Sequence, residues 1–138
     1  MRLGDSRMER TTLLFVCIRN AGRSQIAAAF AERFGGNRLH VLSAGSEPAD
    51  TLHPEVVAAM LEIGIDLSDR RPRRLTPALL DAAEVVVTMG CGDECPAAPG
   101  RQVIEWDLDD PGDQPIERAR IIRDEIATKV RALLDELA

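Results

Sequence analysis

The sequence predicts an α/β fold: a sheet of about four parallel strands in the order 2-1-3-4, with helices on both faces. Three observations carry that expectation. Apolar and β-branched runs recur at Thr12–Val16, Leu39–Ser43, Glu84–Met89 and Val103–Leu108. Between and after them stand segments whose apolar residues step by three and four, the spacing of one helix face. Glycine and proline punctuate the boundaries.

Each element has its own reason. Leu13-Leu14-Phe15-Val16 is an unbroken apolar run, as expected of a strand buried on both faces. About Ser24 to Phe34 is a helix with Ile26, Phe30 and Phe34 on one face and Ala27 and Ala31 beside them. Gly35-Gly36 ends it, since glycine readily takes the left-handed cap. Leu39–Ser43 is a second short strand that breaks at Ala44-Gly45. His53-Pro54 opens a helix with proline in its first turn, and Val56, Val57, Met60, Leu61 and Ile63 supply its expected buried face before Gly64. Ser68–Leu75 carries Arg70, Arg71, Arg73 and Arg74 around Pro72. A solvated loop is the expectation there, with a positive rim that steers oxyanions as the functional alternative. Thr76-Pro77 is a cap-then-proline helix start leading to Leu79 and Leu80. Val85-Val86-Val87 reads as a central strand and Gly90–Gly100 as a loop. The last helix runs from near Pro115 almost to Ala138, with Ala119, Ile122, Ile126, Val130, Leu133 and Leu137 inward.

Composition narrows the function classes. A chain of 138 residues holds one sizeable core and is short for two ordinary domains. The expected organisation is a loose polar leader, 1–10, and a single domain, 11–138. Hydrophobic content of 45% and charged content of 29% suit a soluble globular protein. A net charge of −6 argues against a nucleic-acid partner, because phosphate neutralisation needs a basic surface. No apolar stretch reaches transmembrane length, and Met1–Arg10 lacks the apolar centre of a signal peptide, so no membrane association and a cytoplasmic address are expected. Three cysteines form an odd set, unlike a secreted disulfide framework, and point to metal or redox chemistry.

The chemistry concentrates between the first strand and the first helix. Cys17 to Arg23 joins a strand's carboxyl end to a helix's amino end, where backbone N–H groups are unpaired and the macrodipole is positive. Ile18, Arg19, Asn20, Ala21, Gly22, Arg23 and Ser24 therefore form a candidate oxyanion cradle. Arg23 offers a planar fork for two oxygens of a tetrahedral anion. Cys17 beneath it would be held as the thiolate, the form that attacks. A Cys-x5-Arg match alone is weak; its context between strand and helix gives it weight. Cys17, Ser43, Cys91 and Asp110 are each expected just past a strand's carboxyl end, the rim where open α/β sheets bind ligands. Asp110, fixed by Pro111, could protonate a leaving oxygen. Cys91 and Cys95 could be half of a zinc site, but no further cysteine or suitably spaced histidine completes four ligands, so no metal is expected. His40 and His53 are assigned no role.

Through the loop Cys17–Ser24, Ser43-Ala44-Gly45-Ser46, the segment Met89–Pro96 and Asp109-Asp110-Pro111, the chain resembles the low-molecular-weight protein tyrosine phosphatase superfamily. Within it the resemblance is to the arsenate reductases that use cysteine relays, and it runs from about Thr12 to the end. It implies the phosphatase-like fold, the same strand order, and Asp110 rather than Asp109 as the acid. It further implies a relay in which Cys17 attacks arsenate, Cys91 resolves Cys17, and Cys95 resolves Cys91. Thioredoxin would regenerate the relay, phosphate would compete with arsenate, no cofactor would be needed, and the role would be arsenic detoxification. Two features side with the reductase branch: tyrosine is absent, and Gln25 stands where phosphatases usually carry proline. Some relatives bind potassium through an acidic residue early in the first helix, where this chain has Ala27, Ala28 and Ala29. The alternative is a phosphatase that hydrolyses phosphotyrosine through a Cys17 phosphoenzyme, for which Cys91 and Cys95 have no use.

Overall fold

The computed structural model describes residues 10–90 and 101–137. Four strands, β1 (Thr11–Cys17), β2 (Leu39–Gly45), β3 (Val85–Met89) and β4 (Gln102–Trp106), form one parallel sheet in the order β2-β1-β3-β4. Four α-helices accompany them: α1 (Arg23–Gly35), α2 (Pro54–Leu61), α3 (Pro77–Ala82) and α4 (Ile116–Leu137). Strand order and class are those expected from the sequence.

The period of two along β1 divides the core. Leu13, Phe15 and Cys17 point to the face covered by α1, α2 and α4, where they join Ile26, Phe30, Val56, Met60, Ile122, Ile126 and Val130. Leu14 and Val16 point to the opposite face, joining Val86 and Ala44 beneath Leu75, Leu79 and Leu80 near α3. Each such fully buried aliphatic or aromatic side chain contributes about 1.5–3 kcal/mol relative to exposure. That double burial explains why β1 reads as a continuous apolar run.

Four expectations need correction. Leu61 and Ile63 are 58% and 41% exposed, because α2 ends at Leu61 and its inner face is carried by Val56, Ala59 and Met60. Ser43 lies within β2, opposite Phe15, and not past its end. The fourth strand begins at Gln102 and stops at Trp106; as the outer strand of the sheet it leaves Val103 exposed. Helix α1 is buried on all sides from Arg23 to Ala31, far beyond a single face, because it packs against β1, β2 and α4 together. The alanines at 27, 28 and 29 are what permits that close approach.

The arginine-rich stretch keeps Arg71, Arg73 and Arg74 exposed, as expected, while its backbone is stitched to the end of β2. Gly45 N donates to Arg73 O at 2.9 Å and Leu75 N to Gly45 O at 2.9 Å. Among the described residues no helix is long and apolar enough to cross a membrane.

Candidate active site

Peptide geometry orients the Cys17–Arg23 loop. In a trans peptide the C=O and the following N–H point opposite ways, so carbonyls bonded outward leave the next amides facing inward. Ser46 N, Glu47 N, Ala49 N and His53 N donate to the carbonyls of Cys17, Ile18, Arg19 and Ala21, at 3.2, 2.8, 2.9 and 3.1 Å. The amides of Ile18, Arg19, Asn20 and Gly22 therefore face the interior of the loop. One of them is seen at work: Asn20 N donates to Cys17 Sγ at 3.2 Å. Asn20 is held at φ 52°, a left-handed conformation that asparagine tolerates better than most residues.

Cys17 ends β1, buried, with Sγ 2.9 Å from Ser24 Oγ in the first turn of α1. Asn20 Nδ2 donates to the same Ser24 Oγ at 2.6 Å, which leaves the hydroxyl hydrogen free to point at sulfur. Two donors thus converge on Sγ, the arrangement that suits a thiolate. Arg23 is only 6% exposed. Its Nη1 donates to Leu108 O at 3.2 Å and its Nη2 lies 3.8 Å from Asp110 Oδ2. The guanidinium is thereby fixed between the cradle and the segment that carries Asp110. Asp110 itself is half-exposed, and its Oδ1 accepts from Gly112 N at 2.9 Å, an Asx turn. Asp109 turns the other way and pairs with Arg118.

The structure therefore brings Cys17, Ile18, Asn20, Ala21, Gly22, Arg23, Ser24 and Asp110 to one rim, while Arg19 is exposed at its border. Cys91 and Cys95 lie outside the described residues, although Gly90, at the end of β3, touches the site. Among the described residues no cluster of His, Cys, Asp or Glu could hold a metal ion.

Sequence reading missed a supporting layer. Gln25 Nε2 donates to Asn20 O and Asn20 Oδ1, both at 3.1 Å, and to Arg71 O at 3.3 Å. Arg73 N donates to Asn20 Oδ1 at 2.9 Å. The arginine-rich stretch thus locks the cradle through its backbone. A glutamine inside a buried helix was the available signal, since a buried amide must find partners.

The profile of the low molecular weight phosphotyrosine protein phosphatase family matches residues 12–138. The chain belongs to this family. A putative arsenate reductase of Halobacterium salinarum is 45% identical over 127 residues, covering 88% of this chain and 89% of that protein. The solved structure of a Corynebacterium glutamicum thioredoxin-dependent arsenate reductase matches with a TM-score of 0.81 at 39% identity, over 97% of this chain and 65% of that one. An arginine phosphatase from Geobacillus stearothermophilus matches with a TM-score of 0.82 at 29% identity, over 92% of each chain. The low molecular weight phosphatase fold thus carries both reductases and phosphatases, and what separates them must lie in individual residues.

Proposed function

We propose that this chain reduces arsenate to arsenite by a cysteine relay and that thioredoxin restores the relay. The observation that carries the reading is the Cys17 cradle. Its sulfur accepts from Asn20 N at 3.2 Å beneath inward-facing amides, with Arg23 alongside, in a chain 45% identical to a putative arsenate reductase. Arsenate shares the tetrahedral shape and charge of phosphate, so the donors that suit one suit the other.

The Cys17 thiolate attacks arsenic; an As–S bond forms, an As–O bond breaks, and Asp110 gives its proton to the oxygen, which leaves as water. The Cys91 thiolate then attacks the Cys17 sulfur. A disulfide forms, and the electron pair of the S–As bond stays on arsenic, which departs as arsenite, reduced by two electrons. The Cys95 thiolate next displaces Cys17 from Cys91, leaving a Cys91–Cys95 disulfide that a reduced thioredoxin dithiol takes up by exchange. The amides from Ile18 to Ser24 and the Arg23 fork hold the oxyanion in line with Sγ.

A second reading, phosphatase action, has one observation in its favour: the similarity to an arginine phosphatase. Phosphoryl transfer needs only Cys17, the cradle, Asp110 and water. The two readings separate in one assay, arsenate-dependent NADPH oxidation with thioredoxin and thioredoxin reductase. The wild type should turn over repeatedly, Cys91→Ser should not, and Cys95→Ser should release about one arsenite per chain and stop. Absence of arsenate turnover, with aryl phosphate hydrolysis that survives both substitutions, would establish the phosphatase instead.

A further inference from the structure

His53 is the first residue before α2, and its ring lies between the two loops that build the site. A β-carbon added to Gly112, two residues past Asp110, would stand 2.3 Å from His53 Nε2, 2.6 Å from Cε1 and 2.8 Å from Cδ2. One added to Gly22 in the cradle would stand 3.4 Å from Cδ2. The ring therefore rests against two bare Cα positions, one on each loop. Its own backbone is tied to the cradle, since His53 N donates to Ala21 O at 3.1 Å. Nε2 faces Asp110 Oδ1 at 4.0 Å, and Nδ1 faces Glu55 Oε1 at 4.0 Å. Among the described residues Glu55 Oε1 is buried with no hydrogen-bond partner. A buried carboxylate oxygen left alone is costly, so its place beside the ring calls for a reason.

We infer that His53 acts through Asp110: it holds the acid over the cradle and supplies the proton that Asp110 passes to the leaving oxygen, with Glu55 orienting the ring. The inference rests on the proposed role of Asp110 as the acid. Glu55 Oε1 stands on the Nδ1 side of the ring, which leaves Nε2 as the nitrogen turned to Asp110. The charged groups ranged about this pair are Glu55 from α2, Asp110 from its loop, and Arg23 from α1 on the far side of Asp110. An arriving dianion adds negative charge beside Asp110, and a proton moving from Nε2 to Oδ1 neutralises that carboxylate. The same proton then departs with the leaving oxygen as water. The His53 side chain is 20% exposed, so the neutral ring recovers a proton from solvent. A shift of about 1 Å closes the present gap to hydrogen-bond distance, the tightening expected when substrate binds.

The test is a double-mutant cycle on the full chain: wild type, His53→Gln, Asp110→Asn and the double variant. The maximal single-turnover rate and the half-saturating arsenate concentration are measured from about pH 5 to about pH 8. His53→Gln should lower the maximal rate about tenfold near neutral pH and change half-saturation by less than about twofold. The deficit should shrink toward about pH 8, where an imidazole no longer carries the extra proton it would give up, and vanish in the Asp110→Asn background. A deficit of equal size in that background, one independent of pH, one confined to half-saturation, or none at all would overturn the inference. Should His53→Gln fail a thermal-unfolding control, Glu55→Gln replaces it, keeping the ring; the same pattern is expected at about threefold. A wild type that cleaves aryl phosphate but turns over no arsenate sinks only the reductase reading, and the cycle is then read on the aryl ester, whose leaving oxygen needs the same proton. A wild type with neither activity overturns both.

Discussion

Gly90 lies directly against the Arg23 guanidinium: a β-carbon on Gly90 would stand 2.3 Å from Arg23 Nη1. Gly90 is also at φ +79°, a conformation that L side chains rarely adopt. The residue that precedes Cys91 is thus shaped around the group that would grip the oxyanion. Nη1 also donates to Leu108 O at 3.2 Å, a bond that a displaced guanidinium would lose.

Replacing Gly90 with alanine should therefore act twice. The left-handed backbone costs about 1–2 kcal/mol for an alanine, visible as a lower urea midpoint. The methyl group also displaces Arg23, and loss of a charge-assisted contact to the oxyanion should raise half-saturating arsenate about tenfold or more. Phosphate inhibition constants should rise in parallel. Unchanged half-saturation would show that Arg23 does not hold the substrate.

Asn20 supports a second prediction, because its side chain serves both the cradle and the arginine-rich stretch. Its Nδ2 donates to Ser24 Oγ at 2.6 Å while its Oδ1 accepts from Arg73 N at 2.9 Å and Gln25 Nε2 at 3.1 Å. Asn20→Ala should destabilise the protein by about 2 kcal/mol, since it strips these bonds and puts alanine at positive φ. Asn20→Asp keeps the acceptor and tolerates the backbone, yet sets a carboxylate beside Cys17 Sγ. It should unfold at higher urea than Asn20→Ala but lose more activity, by about 100-fold in kcat/KM. The reverse ranking in activity would remove like-charge repulsion as the dominant effect.

These contacts mark the boundary of what the sequence discloses. The strands and the loop from Cys17 to Ser24 were legible because they rest on local signals: an apolar run, a helical period, a glycine before a helix; the strand order followed from the α/β connection rules and the family resemblance. The packing of Gln25 on Arg71, of Asn20 on Arg73 and of His53 on Gly112 was not. Each joins residues 46 or more positions apart, and nothing in the neighbourhood of either partner announces the other. Ile63 failed for a related reason. Helical spacing says which residues share a face but not where the helix stops, and α2 stops at Leu61. Arg123 is the converse case: a charged residue buried inside the inner face of α4, where apolar spacing alone leaves no place for it.

That buried arginine leads to a prediction about acid stability. Arg123 Nη1 donates to Ala59 O at 2.7 Å and to Glu62 Oε1 at 3.2 Å. Glu62, just past the end of α2, also takes a two-pronged contact from Arg120, with Nε at 2.9 and 3.1 Å and Nη2 at 2.6 Å. The Arg120 hydrogen bond, aided by Arg123, holds the Glu62 carboxyl below its ordinary range. A carboxyl lowered on folding binds protons more readily in the unfolded chain, so stability rises with pH across the interval between the two values. The contribution is complete above the ordinary glutamate range and is lost as pH falls through the lowered folded value. Glu62→Gln should therefore be less stable than wild type at neutral pH, and the gap should narrow steadily as the solution is acidified. Urea unfolding of both proteins at a series of pH values measures it. A gap that stays constant into acid would mean that the Arg120 and Arg123 contacts act through packing of their stems and not through the charge on Glu62.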